Sequence, residues 1–159
     1  SINWNTRWLK YGENLAAPRD PQLFEGERIL VRRIVGKKLI SAYTNEDFVT
    51  SQLLQIVKPF DETQSKMLLG VLNSSLIAYY FRKKYNRLDK TFPEIRLYEL
   101  ASLPIKTEES QISSVVNQIL TAKAQDPSAD TTDLENQIDQ LVYRLYGLTE
   151  EEIGVVEGG

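Results

Sequence analysis

The apolar residues of this chain change their spacing part-way along, and that change restricts the fold more than any other feature. Between Arg28 and Lys58 they are largely β-branched and come in short runs (28–35, 39–43 and 49–58), separated by Gly36-Lys37-Lys38 and Asn45-Glu46-Asp47. Runs of this kind bounded by turn formers predict three antiparallel strands joined by tight turns, a meander. After Pro59 the spacing becomes helical. Apolar residues at 68, 69, 72, 76, 79 and 80 predict one long helix from Pro59 and Asp61 to about Lys84. Ile112, Val115, Val116, Ile119 and Leu120 form a second stripe over 110–123, and Leu134, Ile138, Leu141, Val142 and Leu145 a third over 133–146.

Punctuation supports the same division. Thr132 with Glu135, and Thr149 with Glu152, are spaced as capping boxes, and Gly147 is placed to stop the helix before it. The polar stretch from Ala124 to Thr131 suits a turn between two antiparallel helices, and Ile95 to Leu100 reads as a short strand or turn. Residues 1–26, with Trp4, Trp8, Pro18, Pro21 and Gly26, read as a loop-rich entry. The expected fold is α+β: a small antiparallel sheet with a long helix, then an antiparallel helical hairpin and a short C-terminal helix.

Charge follows the same boundary. Residues 1–106 carry 17 Lys and Arg against 11 Asp and Glu, a net +6, whereas residues 107–159 carry 2 against 11, a net −9. The expected organisation is a β-rich region over 1–106 and an acidic helical region over 107–159 that braces the sheet or docks on another domain. Asymmetry of this kind marks either a nucleic-acid-facing half or two ordinary solvated surfaces. Arg82, Lys83, Lys84, Arg87 and Lys90 crowd nine positions, more than complementing a helix dipole requires. An acidic face bearing Asp130, Asp133, Glu135 and Asp139 would be repelled by phosphates.

The chain has no cysteine and no histidine, which excludes disulfides, a thiolate nucleophile, a Cys/His zinc site and a Ser-His-Asp relay. Neither a GxGxxG nor a GxxxxGK[ST] phosphate loop is present, nor the [DN]-PP-[YF] tetrapeptide of amino-methyltransferases. Glu94-Ile95-Arg96 is the nearest approach to a nuclease motif and has arginine where lysine belongs. Paired acids such as Asp61-Glu62, Glu108-Glu109 and Glu150-Glu151-Glu152 stand at predicted helix starts, where they satisfy free amides. No catalytic or metal-ligating residues are therefore expected. No apolar run approaches the ~20 residues of a membrane span. The start at Ser1 without a signal-like segment reads as a piece of a longer, cytoplasmic protein.

Lined up, the segments WLKYGENLAAPRDPQLFEGERILVRR, LLGVLNSSLIAYYFRKK, LYELASLPI and LENQIDQLVYRLYGLTEEEI resemble the TaqI-like C-terminal specificity domain of adenine-specific DNA methyltransferases. The most specific pieces are Leu72-Asn73-Ser74, Leu103-Pro104-Ile105, and the ending Ile138-Asp139, Val142-Tyr143 and Leu145-Tyr146-Gly147-Leu148-Thr149. Arg28 stands where the opening often has lysine. The resemblance implies a target recognition domain of a prokaryotic restriction-modification or phage-defence enzyme. Such a domain binds double-stranded DNA beside a methyltransferase domain of the same parent chain, which holds S-adenosylmethionine and does the chemistry. This chain alone would then need no cofactor and would not be an enzyme, and the parents of such domains include enzymes fused to an endonuclease. Half of a type I-like specificity subunit and a protein-docking module without DNA contact are the alternatives.

On that reading Arg82, Lys83, Lys84, Arg87 and Lys90, with Arg19, are candidates for positioning on phosphates. Arg32, Arg33, Lys37, Lys38, Tyr43 and Asn45 are candidates for base reading, and strand alternation lets only one of Arg32 and Arg33 face DNA. Trp4, Trp8, Tyr79, Tyr80 and Phe81 could stack on bases, or Tyr79 to Phe81 could belong to the core of the long helix.

Overall fold

The computed structural model describes residues 11, 12, 15, 17–85, 93–106, 108 and 110–158. Three short antiparallel strands, β1 (Arg28–Arg32), β2 (Ser41–Thr44) and β3 (Leu54–Val57), form a sheet in the order β2-β1-β3. The first strand lies in the middle, where a meander would have put the second. The burial of β1 accounts for this. Ile29 and Val31 are fully enclosed on one face, and Arg28 and Leu30 are covered on the other. A strand buried on both faces must satisfy its backbone groups along both edges.

The connection 45–53 accordingly passes across the end of β1 and wraps Arg28. The guanidinium donates from Nη1 to the Gly26 carbonyl (2.8 Å) and from Nη2 to those of Glu46 (2.6 Å) and Phe48 (3.3 Å). The Phe48 ring lies 5.0 Å away. Burying this charge is tolerable because backbone carbonyls accept from both terminal nitrogens, although Nε is buried without a partner.

The expected long helix is two. A 3-10 turn (Glu62–Gln64) leads into α1 (Ser65–Asn73), and α2 (Ser75–Lys84) follows after a break at Ser74, which is extended (φ −70°, ψ 155°). One hydroxyl makes the break. Ser74 Oγ donates to the Val71 carbonyl (2.7 Å), closing α1, and accepts from Ile77 N (3.3 Å), opening α2. Breaking the helix resets its phase, so the buried apolar side chains are 67, 69, 71 and 72, then 77, 78 and 81. Tyr79 and Tyr80 are half-buried, whereas Phe81 is core.

The 95–100 region is also not a strand. Ile34 and Glu94 form an isolated bridge, after which α3 (Leu97–Ala101) begins. The acidic half supplies α4 (Ser110–Gln125), α5 (Thr132–Tyr146) and α6 (Glu150–Glu157). The α5 cap falls one residue earlier than expected, at Thr131, whose hydroxyl bonds Glu135 (2.7 Å) while Asp130 receives Thr132 N (3.0 Å). Gly147 adopts the left-handed conformation (φ 70°) and Thr149 with Glu152 forms a capping box, both as expected.

The architecture is α+β. Helix α1 is its hub, touching β1 and β2 on one side and α4 and α5 on the other. Ile29 and Val31, Val71 and Leu72, Ile112 and Val116, and Ile138 and Val142 join one apolar cluster across that hub.

Candidate nucleic-acid interface

Two basic elements meet at one end of the sheet. The connection 33–40 between β1 and β2 carries Lys37 and Lys38, and its tip is held against the last turn of α2, where Arg82 Nη1 lies 3.5 Å from the Lys37 carbonyl. Lys83 and Lys84 follow on the same turn and are exposed. Lys83 Nζ lies 5.4 Å from the Tyr79 ring centre, and Lys84 sits between Tyr80 and Tyr85. The hydrogen bond from Lys84 Nζ to Tyr80 Oη (2.8 Å) holds the Lys84 ammonium above its ordinary pKa. Between hairpin tip and helices opens a cleft of about 820 Å³, lined by Lys37, Lys38, Tyr79, Arg82, Gln140 and Tyr143 among others.

The remaining candidates are distributed differently. Arg32, at the end of β1, is exposed, whereas Arg33 pairs with Glu94 (Nη2–Oε2 3.1 Å, Nε–Oε2 3.2 Å). Of these neighbours only Arg32 therefore keeps a guanidinium uncommitted to a carboxylate among the described residues. Lys38 is committed too, its Nζ lying 2.9 Å from Asp139 Oδ2. Arg19 clips the entry segment to the 45–53 connection, donating to the Thr50 carbonyl (2.5 Å) and hydroxyl (3.1 Å) with its guanidinium 4.9 Å from the Phe24 ring. Register separates Tyr43 and Asn45 from the basic cluster. Thr44 pairs with Arg28 and Ser41 with Val31, so both candidates lie toward the far end of β2 from the hairpin tip. Tyr43 is half-buried, with Lys66 Nζ 5.6 Å from its ring, and Asn45 is exposed. Arg87, Lys90, Trp4 and Trp8 lie outside the described residues.

Two residues with no assigned role hold the hairpin. Asn73, at the end of α1, accepts from Ser41 N (2.9 Å) and donates to Ser41 O (3.1 Å), completing the backbone bonding of the edge strand β2. Asp139 does not belong to the acidic outer face on which its spacing put it. It is 7% exposed, and its carboxylate accepts from Ser75 N (2.7 Å), Ser75 Oγ (2.6 Å) and Lys38 Nζ. Tyr143, one turn along α5, is buried, and burial with the Asp139 charge pushes its phenol up to about 12. Elsewhere Tyr146 ties the Leu103-Pro104-Ile105 exit to α5, donating to the Pro104 carbonyl (2.5 Å) and accepting from Lys106 N (3.0 Å). The signal for these ties was their presence in the three most specific motifs, but spacing alone did not pair them.

Among the described residues no group of three acids is placed to hold a metal ion, and no helix is long and apolar enough to cross a membrane.

A small sheet whose basic hairpin abuts a basic helix end is thus joined to the helices of the acidic half. The TaqI-like C-terminal specificity domain family matches residues 1–105, and this chain belongs to that family. Over 130 residues the chain is 35% identical to a protein of Methanocaldococcus jannaschii named "Putative type II restriction enzyme and methyltransferase". That alignment covers 76% of this chain and 11% of the relative, so the chain spans a small part of the relative's length.

Proposed function

We propose that this chain is the DNA-reading part of an adenine-specific methyltransferase or restriction-modification enzyme. It grips duplex DNA and presents the target to a separate catalytic domain, which binds S-adenosylmethionine and transfers the methyl group. The observation that carries this reading is the approach of Arg82 to the Lys37 carbonyl where the hairpin meets α2, with Lys83 and Lys84 exposed on the same last turn of that helix. Of these cations, none has a carboxylate partner among the described residues.

The mechanism divides into grip and reading. Lysine and arginine on the last turn of α2 neutralise phosphates and set register. Arg32 and the exposed tip residue Lys37 reach base edges, where a two-pronged arginine–guanine contact discriminates by ~1–3 kcal/mol. The acidic helices stay off the phosphate backbone. Their groove against α2 instead suits a protein partner, the methyltransferase domain. It is lined by Leu76, Leu148, Val155 and Val156 with Glu151 and Glu152, and it borders Lys83 and Lys84, so the docking face adjoins the phosphate-gripping turn.

The test is duplex binding by the chain across a salt series, beside a variant with Arg82, Lys83 and Lys84 changed to Glu. The expected result is a log K that falls with log salt in the wild type, and a slope shallower by up to about 2.7 in the variant, ~0.9 for each lost phosphate contact. Unchanged slope and affinity would remove the phosphates from this surface, and no wild-type binding at low salt would favour protein docking.

A further inference from the structure

Two of the specific motifs, Leu72-Asn73-Ser74 and Ile138-Asp139 with Val142-Tyr143, lie far apart in the chain and outside its basic stretches. They nevertheless converge on the connection that carries Lys37 and Lys38. Ser74 breaks the long helix, and the break exposes the first amides of α2. Asp139 of α5 enters there, taking Ser75 N and Ser75 Oγ at 2.7 and 2.6 Å, and its Oδ2 also receives Lys38 at 2.9 Å. Asn73, the residue before the break, grips both backbone groups of Ser41 where the hairpin rejoins β2.

The base of the hairpin is anchored by backbone bonds from Arg33 and Val35 to Leu53 and Pro93 and by the burial of Val35 and Leu39, whereas its tip, Gly36 to Lys38, is tied to the helices by the Lys38–Asp139 pair and the contact of Arg82 with the Lys37 carbonyl. Two cavities flank the Lys38–Asp139 pair, one of about 310 Å³ beneath Leu39 to Ser41 and the other the 820 Å³ cleft beside Lys37. Open space therefore lies on both sides of this strut, and polar contacts set the place of the tip that carries Lys37 and Lys38.

We infer that Asp139 is a positioning residue for DNA recognition: with Asn73, it fixes the hairpin that reads the target by tying Lys38 to the start of α2. This rests on the recognition reading above and adds to it a part for the acidic half. Asp139 reaches no DNA; it sets where Arg32 and Lys37 stand when DNA arrives. Misplacing a base-reading group weakens the matched site, whereas contacts to phosphate tolerate displacement because they carry no sequence information.

The experiment pairs Asp139→Asn with Lys38→Met in the 159-residue chain. The first keeps the volume and an oxygen for Ser75 N. The second removes the tie from the hairpin side and leaves Asp139 on α2, so that damage to the α2 cap is separated from loss of the tether. Amide hydrogen exchange is followed over 36–44 against α4 and α5, and affinity is measured for a duplex enriched from a random pool and for the unselected pool. Both variants are expected to speed exchange over 36–44 and leave α4 and α5 unchanged. Asp139→Asn should lower discrimination between selected duplex and pool by about tenfold. Its affinity for the pool should hold or rise, since removing a carboxylate beside Lys38 cannot weaken attraction to phosphate. A merely structural loss would lower both affinities together and overturn the inference. So would unchanged exchange over 36–44, or faster exchange with discrimination intact, while wild-type binding left the recognition reading standing. A wild type that binds no duplex overturns both, and is recognised by that control alone.

Discussion

At the scale of single residues, the informative side chains are buried cations and acids whose partners come from distant parts of the chain. Arg28 is fully buried, and its geometry explains why arginine serves. A planar fork reaches the Gly26 carbonyl, just before β1, and the Glu46 carbonyl, in the crossing connection, from two nitrogens. Lysine donates from one point and would leave a buried carbonyl unmatched. Arg28→Lys should therefore cost about 1–3 kcal/mol in urea unfolding, with the chain still folding at low denaturant. The sequence marked Arg28 as a departure but not as a hub, because nothing near it names its acceptors, which are backbone atoms. Asp139 was misplaced for a related reason. Its spacing among Asp130, Asp133 and Glu135 puts it on a charged stretch, yet α5 turns it inward toward Ser75 and Lys38. A charge inside an amphipathic helix declares its face only when the neighbouring element is known.

At the scale of elements, the strongest signals were punctuation and period, and the failures came where one short motif outweighed a long pattern. The stripes over 110–123 and 133–146 became α4 and α5 with ends close to those expected, since capping and a left-handed glycine act locally. The long helix split because Ser74 satisfies both free ends with a single hydroxyl, and Asn73-Ser74-Ser75 was the visible trace of that split. The α1–α4 contact is close enough to need a glycine. A Cβ on Gly70 would meet Ile112 Cγ2 at 2.5 Å and Val116 Cγ2 at 3.0 Å. Although alanine is the better helix former, Gly70→Ala should destabilise the chain by about 1–3 kcal/mol, the usual range for overpacking a core. Thermal unfolding followed by circular dichroism reads the sign directly: a higher midpoint would mean that helix propensity outweighs the clash.

At the scale of the whole molecule, the charge boundary near residue 106 is not a boundary of the core. Ile112, Val116, Ile138 and Val142 from the acidic half join Val71 and Leu72 from the basic half in one cluster, and α1 lies between sheet and helices. A chain ending at residue 106 would expose the α4-facing side of α1. It should lack cooperative unfolding and a dispersed amide spectrum, whereas a well-folded fragment would show that the helices only lean on the sheet. What the sequence by itself determined is what short-range physics controls: β-branched runs for strands, helical stripes, caps, the absence of Cys and His chemistry, and the division of charge. That Arg82, Lys83 and Lys84 share one helical turn was legible for the same reason, whereas the approach of Lys37 to Arg82 was not. What only the tertiary structure decided is which strand is central, where Tyr43 and Asn45 fall relative to that surface, and which cations are already paired. Those depend on partners dozens of residues away, since burial on both faces of β1 and the inward turn of Asp139 exist only once distant elements have packed.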